Sequence, residues 1–252
     1  MAFSEASKIH QLNRPIIGES PVQLNSRHLL QELVIDGSFI ANNFTTNGKK
    51  ITIITGPNSS GKSVFMKQVA LVQFLAQIGC FVPADMAQIF PCEKLLTRIK
   101  VKESSGSEDS SFSKELLQIK EILEMATKDS MILIDEFGKG TRPEDGIALL
   151  SGLIKYLLEM EEQPWVILIT HFYEIYRLLQ EQEAKINWLR METVLEDGCV
   201  SYMYRVAEGR SDSSQAIECA RRAGIKPKVL KRAREVHDQL LNGKSIREII
   251  KS

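Results

Sequence analysis

The run Ile51-Thr-Ile-Ile-Thr-Gly-Pro-Asn-Ser-Ser-Gly-Lys-Ser63 joins a β-favouring segment to a glycine-rich turn, and a helical pattern follows. Gly56-x-x-x-x-Gly61-Lys62-Ser63 has the spacing of a loop that cradles phosphates. Its residues Gly56, Pro57, Asn58, Ser59, Ser60, Gly61, Lys62 and Ser63 are candidates for binding a nucleoside triphosphate. The backbone N–H groups of such a loop and the following helix N-terminus make a concave, positively polarised site. Lys62 is placed to reach the β/γ-phosphates, and the Ser63 hydroxyl to take a coordination position on Mg²⁺.

Two further groups suit the same chemistry. Met131-Ile-Leu-Ile-Asp135-Glu136 reads as a buried strand ending in two carboxylates, where open α/β sheets place ligands. Asp135 is expected to hold Mg²⁺, and Glu136 to orient or deprotonate an attacking water. Trp165-Val-Ile-Leu-Ile-Thr-His171 ends a second buried strand in a histidine. At that edge His171 could contact a γ-phosphate or the attacking water.

The elements that must position these groups alternate between strand and helix. The pattern predicts strand Ile51–Thr55, helix Lys62–Ile78, strand Leu95–Ile99, helix Phe112–Thr127 and strand Met131–Ile134. Helix Asp145–Met160 and strand Trp165–Thr170 complete an α/β fold with a mostly parallel sheet. The stripe Phe112, Leu116, Ile119, Leu123 and Ala126 is expected to face the core. Lys102–Ser113 reads as an exposed loop. Leu189–Val194 and Val200–Val206 flank Glu196-Asp197-Gly198, a hairpin signal, and helical patterns Ser213–Ala223 and Pro227–Asn242 follow. Residues 1–25 show weak periodicity and are expected to be loosely ordered.

A chain of 252 residues can bury one large core with a small appendage. The formal net charge of zero gives no global basic field to attract nucleic acid. Cys80, Cys92, Cys199 and Cys219 are scattered without metal-ligand or disulfide-framework spacing. No secretory pattern precedes the globular part, and no apolar run reaches the roughly 18–20 residues of a membrane span.

Gly56-Pro-Asn-Ser-Ser-Gly-Lys-Ser63, Gly79-Cys-Phe-Val-Pro-Ala84 and Asp135-Glu-Phe-Gly-Lys-Gly-Thr141 together resemble the ATPase domain of MutS proteins. Asp145-Gly146 and Thr170-His-Phe-Tyr-Glu174 strengthen the likeness, which runs from about Phe39-Ile-Ala-Asn42 to about Asn242. It implies a phosphate-loop ATPase of ABC type, with ATP and Mg²⁺ as its ligands, working as a dimer with composite sites. By the resemblance Phe39 packs on the adenine, Glu136 is the catalytic carboxylate, His171 the switch residue, and Gly138 to Thr141 cross the dimer interface. The serine that acts on the partner's γ-phosphate maps to Ser110, with Ser111 as the adjacent candidate. The implied organisation is an unpatterned segment 1–25, an ATPase domain 26–208 and a helix-turn-helix dimerisation tail 209–252.

Phe137 and Lys139, with the tail Lys231 to Ile246, look like the meiotic fifth MutS homologue. That likeness implies pairing with the meiotic fourth homologue, a nuclear location and a clamp on recombination intermediates. The alternatives are a mismatch-repair MutS ATPase domain and a nucleotide-binding dimerisation module with little turnover. A different ABC-type engine is also weighed, but Lys62 and Asp135 stand 73 residues apart (135 − 62), too close to admit an inserted helical subdomain. The family reads branched or mismatched DNA with domains upstream of its ATPase. The sequence is therefore expected to be a fragment or to act without the DNA clamp.

Overall fold

The computed structural model describes residues 2–99, 111–196, 199–211 and 216–241. The chain opens with α1 (Ala2–Ile9), β1 (Ile16–Ile17), β2 (Val22–Ser26), α2 (Leu29–Glu32) and β3 (Asn42–Thr45). Next come β4 (Ile51–Thr55), α3 (Lys62–Gln77), β5 (Met86–Ile89), β6 (Lys94–Arg98) and α4 (Ser111–Met125). β7 (Ser130–Asp135), α5 (Pro143–Glu159), β8 (Trp165–Thr170), α6 (Ile175–Leu178) and a 3-10 turn (Gln180–Lys185) follow. The last elements are β9 (Ile186–Glu196), β10 (Cys199–Glu208), α7 (Ala216–Arg222) and α8 (Pro227–Leu241).

Six strands form the main sheet in the order β10-β9-β4-β8-β7-β6, parallel throughout except where β10 pairs antiparallel with β9. β4, β7 and β8 are buried at every position because helices cover both faces, so their sequences are nearly continuous apolar runs. The faces sort by alternation along each strand. Ile54, Met131, Leu133, Ile167 and Ile169 pack with Phe65, Met66 and Val69 of α3. Ile51, Ile53, Ile132, Ile134, Val166 and Leu168 pack with Ile119 and Ile122 of α4 and with Leu150, Ile154 and Leu157 of α5.

The paired strands end in register. Thr55 is opposite Thr170, and Asp135 is opposite Ile169. The loops after β4, β7 and β8 therefore leave the sheet along one edge, with β8 between the phosphate-loop strand and the carboxylate strand.

Residues 1–25 differ from the expectation of loose order. They contribute α1, β1 and most of β2, and a second sheet forms in the order β1-β5-β2-β3. Polar side chains stitch this part to the core. Gln23 donates from Nε2 to the Val69 carbonyl at 3.0 Å, and Asn13 from Nδ2 to the Ala84 carbonyl at 2.7 Å. From α3, Gln68 donates to the Ser26 carbonyl at 2.8 Å and Gln73 to the Phe90 carbonyl at 2.7 Å. Buried amides paired in this way leave no apolar period to read.

Smaller differences have local causes. α5 begins at Pro143 rather than Asp145, since proline suits the first helical position. α4 begins at Ser111, inside the stretch expected to be loop, whereas residues 102–110 lie outside the described residues. In the α4 stripe Leu116 is 38% exposed, while Glu115, at 3%, takes the inward position. The turn residues Asp197 and Gly198 of the expected hairpin also lie outside the described residues. Among the described residues no helix is long and apolar enough to cross a membrane.

Leu133 is fully buried at the centre of this core. Leu133→Ala is expected to cost about 2–5 kcal/mol through lost transfer energy and a residual cavity. Urea unfolding followed by tryptophan fluorescence measures this, and a loss under about 1 kcal/mol would contradict the packing described.

Candidate functional site

α3 starts without a side-chain cap, at Gly61 with φ 98°, so its first-turn N–H groups are left for a ligand. A side chain at Gly61 would also crowd the Tyr204 ring, 3.2 Å from the Cβ it would add. Lys62 is 4% exposed and folds back on its own loop, donating to the carbonyls of Gly56 and Pro57 at 2.8 Å each. Burial lowers the Lys62 pKa, and the nearby Glu136 and Asp135 carboxylates pull it partly back up. The Ser60 hydroxyl donates to the Pro57 carbonyl at 2.8 Å and braces the turn.

Asp135 is 6% exposed, and its Oδ1 has no hydrogen-bond partner. Burial raises its pKa; the Ser63 hydroxyl draws it down by a hydrogen bond, and Glu136 pushes it up. Glu136 sits at φ 53°, an uncommon conformation for a side-chain-bearing residue, with its N–H donating to the Ile169 carbonyl at 3.0 Å. Its carboxylate is 2.8 Å from the Lys139 ammonium, and the Nδ1 of His171 is 3.9 Å away on its other oxygen. Burial works to raise the Glu136 pKa, but Lys139, Lys62 and His171 outweigh it, so the group is held below its ordinary value. The His171 pKa is lowered, chiefly by burial, with the Glu136 charge opposing, so the ring is neutral at neutral pH. It stacks against Phe172 with centroids 4.4 Å apart.

A cleft of about 770 Å³ opens over these groups, within the usual range for a small-molecule site. Asn58, Ser59, Gly61, Lys62, Ser63, Glu136 and Lys139 supply its polar and loop lining. Ile35, Phe39, Ile40, Met191 and Tyr204 supply apolar and aromatic lining, with Tyr204 and Met191 close against Gly61.

The family described as MutS domain V matches residues 52–241, well over half of the chain. The chain belongs to the MutS family. It is similar to the DNA mismatch repair protein MutS of Halalkalibacterium halodurans, 35% identical over 248 residues. That match covers 97% of this chain and 28% of the relative. The protein of the same name from Petrotoga mobilis is 35% identical over 247 residues, covering 96% of this chain and 30% of the relative. The corresponding Clostridium botulinum protein is 36% identical over 232 residues, covering 90% and 24%. The chain thus spans less than a third of the length of these relatives.

These matches overturn the expected nuclear location, since the relatives come from bacteria, which have no nucleus. They equally give no support to the meiotic branch or to the fourth homologue as partner. MutS domain V is an ATPase domain, so membership implies ATP binding.

Within this MutS domain V, the sequence-predicted Phe39, Asn58, Lys62, Ser63 and Glu136 all line the one cleft. Asp135 and His171 do not line the cleft; they stand behind it, Asp135 hydrogen-bonded to Ser63 and His171 3.9 Å from Glu136. Ser110 lies outside the described residues, and Ser111 is the first residue of α4. Sequence reasoning missed Tyr204, Asn42 and Met191. Tyr204 sits at φ 52° where the β9–β10 register shifts. Asn42 fixes this bulge, donating from Nδ2 to the Tyr204 carbonyl at 2.9 Å and accepting from the Val206 N–H at 2.8 Å. The only sequence signal was that Asn42 closes the Phe39 motif. Arg98 and Glu115 were missed as well, and both reach the backbone around Glu136.

The raised Asp135 pKa has a consequence for stability. The folded chain keeps this proton to a higher pH than the unfolded chain, so stability falls as pH rises through the window above the ordinary carboxylate value. Asp135→Asn removes that cost. The variant is expected to unfold at a higher temperature than the parent at pH 7, with the advantage shrinking towards pH 4. Thermal melts at both pH values measure it, and a parent more stable at pH 7 contradicts the assignment.

Proposed function

We propose that the chain is the ATP-binding and hydrolysing switch domain of a MutS-type DNA clamp of the mismatch-repair kind. The observation that carries this is the meeting of Lys62, Ser63 and Glu136 on one cleft, with the orphaned Asp135 Oδ1 behind them. In this reading the phosphates take the anion-binding end and the base lies between Phe39 and Tyr204. The repair role is preferred to the meiotic one because the relatives carry the mismatch-repair name, whereas only Phe137, Lys139 and the tail favour the other.

Ser63 and Asp135 suit Mg²⁺: a hydroxyl and a buried carboxylate oxygen lacking a partner are hard oxygen donors. Among the described residues no cluster of three acidic, histidine or cysteine side chains could hold a metal alone. When bound, the ion would neutralise charge on the β- and γ-phosphates.

The protein's own part follows from its contacts. Lys62 exchanges the Gly56 and Pro57 carbonyls for phosphate oxygens, whose negative charge favours the protonated form of an amine whose pKa burial depresses. Glu136 holds the attacking water and accepts its proton, with its low pKa keeping it ionised and ready. Neutral His171 sits beside that carboxylate and senses its hydrogen bonding. One chain supplies half of each composite site; the serine at Ser110 or Ser111 and the Gly138–Thr141 loop serve the partner's half. The helices α7 and α8 form the dimerisation tail, and mismatched DNA is engaged through parts that this sequence does not span.

One contact favours the reading of a dimerisation module with little turnover. The Lys139 ammonium sits 2.8 Å from one Glu136 oxygen, and the charge that keeps the carboxylate ionised also makes it a weaker acceptor of a proton from water.

Two substitutions test the main reading. Glu136→Gln is expected to keep ATP affinity within about twofold and to lower the hydrolysis rate by two orders of magnitude or more. Lys62→Ala is expected to weaken ATP binding itself. Fluorescent-nucleotide titration and phosphate release measure both. Turnover of Glu136→Gln at the parent rate removes the base assignment, and undiminished binding by Lys62→Ala removes the phosphate-loop assignment.

A further inference from the structure

Glu136 keeps its left-handed backbone because the chain is held on both sides of it. On the neighbouring strand β6, register places Arg98 opposite Ile134. Its guanidinium Nη1 therefore reaches the main-chain carbonyl of Asp135, the residue before Glu136. Arg98 Nη2 lies 2.7 Å from Glu115 Oε1. The same Glu115 oxygen accepts the N–H of Gly138, two residues after Glu136, at 3.1 Å. Gly138 is itself packed closely against Gly146. It sits at φ 87°, and even a Cβ there would lie 2.8 Å from Gly146 Cα.

The pair is almost sealed from water, with side chains 9% and 4% exposed. Arg98 Nε is buried without a hydrogen-bond partner. An ion pair so enclosed is a poor source of stability, because removing two charges from water costs about what their attraction returns. Apolar residues would fill this space as well, and Ile119 and Ile122 of the same helix do so nearby. The cost is matched instead by geometry: the two arms of one guanidinium hold a carbonyl and a carboxylate in fixed relation.

We propose that the buried Arg98–Glu115 pair is a positioning unit for Glu136, which ties the seat of α4 to the aim of the catalytic carboxylate. Glu115 is on the second turn of α4, and the first turn rests on the loop beyond Glu136, where a Cβ on Gly140 would meet Phe112 Cβ at 3.2 Å. Any displacement of the start of α4 is thus delivered to the backbone that aims Glu136. This inference rests on the proposed reading of Glu136 as the base. In that reading the start of α4 faces the partner's nucleotide, so docking of the second subunit would reach the base through this pair.

The test compares Arg98→Lys, the double variant Arg98→Met/Glu115→Leu, and Glu136→Gln in the full 252-residue chain. Single-turnover ATP hydrolysis, fluorescent-nucleotide affinity and melting temperature are read for each. Lysine keeps the charge but cannot hold both partners, and the double variant removes both charges. Both are expected to keep affinity within about twofold and a melting temperature close to the parent's, while the hydrolysis rate falls about 10–100-fold. A rate unchanged in Arg98→Lys, with Glu136→Gln inactive, overturns the positioning role and leaves the base assignment standing. Parent-like hydrolysis by Glu136→Gln overturns the base assignment and this inference with it. Affinity falling in step with rate shows that the pair only supports the fold, and also overturns the proposal. If the double variant does not fold, Arg98→Lys decides.

Discussion

The chemistry of this chain hangs on one constraint: β8 is hydrogen-bonded between the phosphate-loop strand β4 and the carboxylate strand β7. Neighbouring strands are about 4.8 Å apart, so two steps across the sheet separate the loop from the carboxylates by about 10 Å. That gap sets Lys62 and Glu136 on separate strands, yet close enough for their charges to act on each other's pKa. The same arrangement delivers His171 from the end of β8 beside Glu136. Because helices bury both faces of the sheet, polar groups with work to do must gather at its edge.

Holding charge at that edge strains the fold. Lys62, Asp135, Arg98 and Glu115 are all under 9% exposed. Asp135 carries a raised pKa and Lys62 a lowered one, so each has lost more hydration than its neighbours return. Two of these groups also have polar atoms without partners, Asp135 Oδ1 and Arg98 Nε. Sites of this kind trade stability for function. The strain is anchored in the backbone too, with Glu136 held at φ 53° between a carbonyl gripped by Arg98 and an N–H gripped by Glu115.

The central strands and the phosphate loop were legible in the sequence because burial on both faces leaves unbroken apolar runs; Ile51–Thr55 and Trp165–Thr170 have the expected bounds. Residues 2–25 were not legible, because hydrogen bonds from Gln23 and Asn13, rather than an apolar face, attach them to the core. Glu115 was hidden for a related reason. A charged residue at helical spacing reads as solvent-facing, and only distant partners, Arg98 and the Gly138 N–H, make the inward position tolerable. Tyr204 could not be found at all from local pattern, since the bulge that aims it depends on Asn42, 162 residues away. The family likeness was sound at the level of the domain, while Phe137, Lys139 and the tail from Lys231 to Ile246 were too little to carry a branch, a partner or a location.

The walls of the cleft are built in different ways, and this bears on how a switch could work. The wall carrying Lys62 and Glu136 stands on β4, β7 and β8, fully buried and hydrogen-bonded on both sides. The wall carrying Phe39 and Tyr204 stands on the segment before β3 and on the β9–β10 bulge, where the Asn42 side chain makes three hydrogen bonds. Tyr204 is 49% exposed there, and Phe39 is half-buried. Regions with little buried apolar surface open at lower free energy than the core that supports them. In the proposed reading the wall of Phe39 and Tyr204 is therefore the part that can adjust to the nucleotide, while the wall of Lys62 and Glu136 stays fixed. A domain that reports whether ATP is present needs that asymmetry: a rigid centre for the chemistry, and a yielding rim whose closure the ligand itself completes.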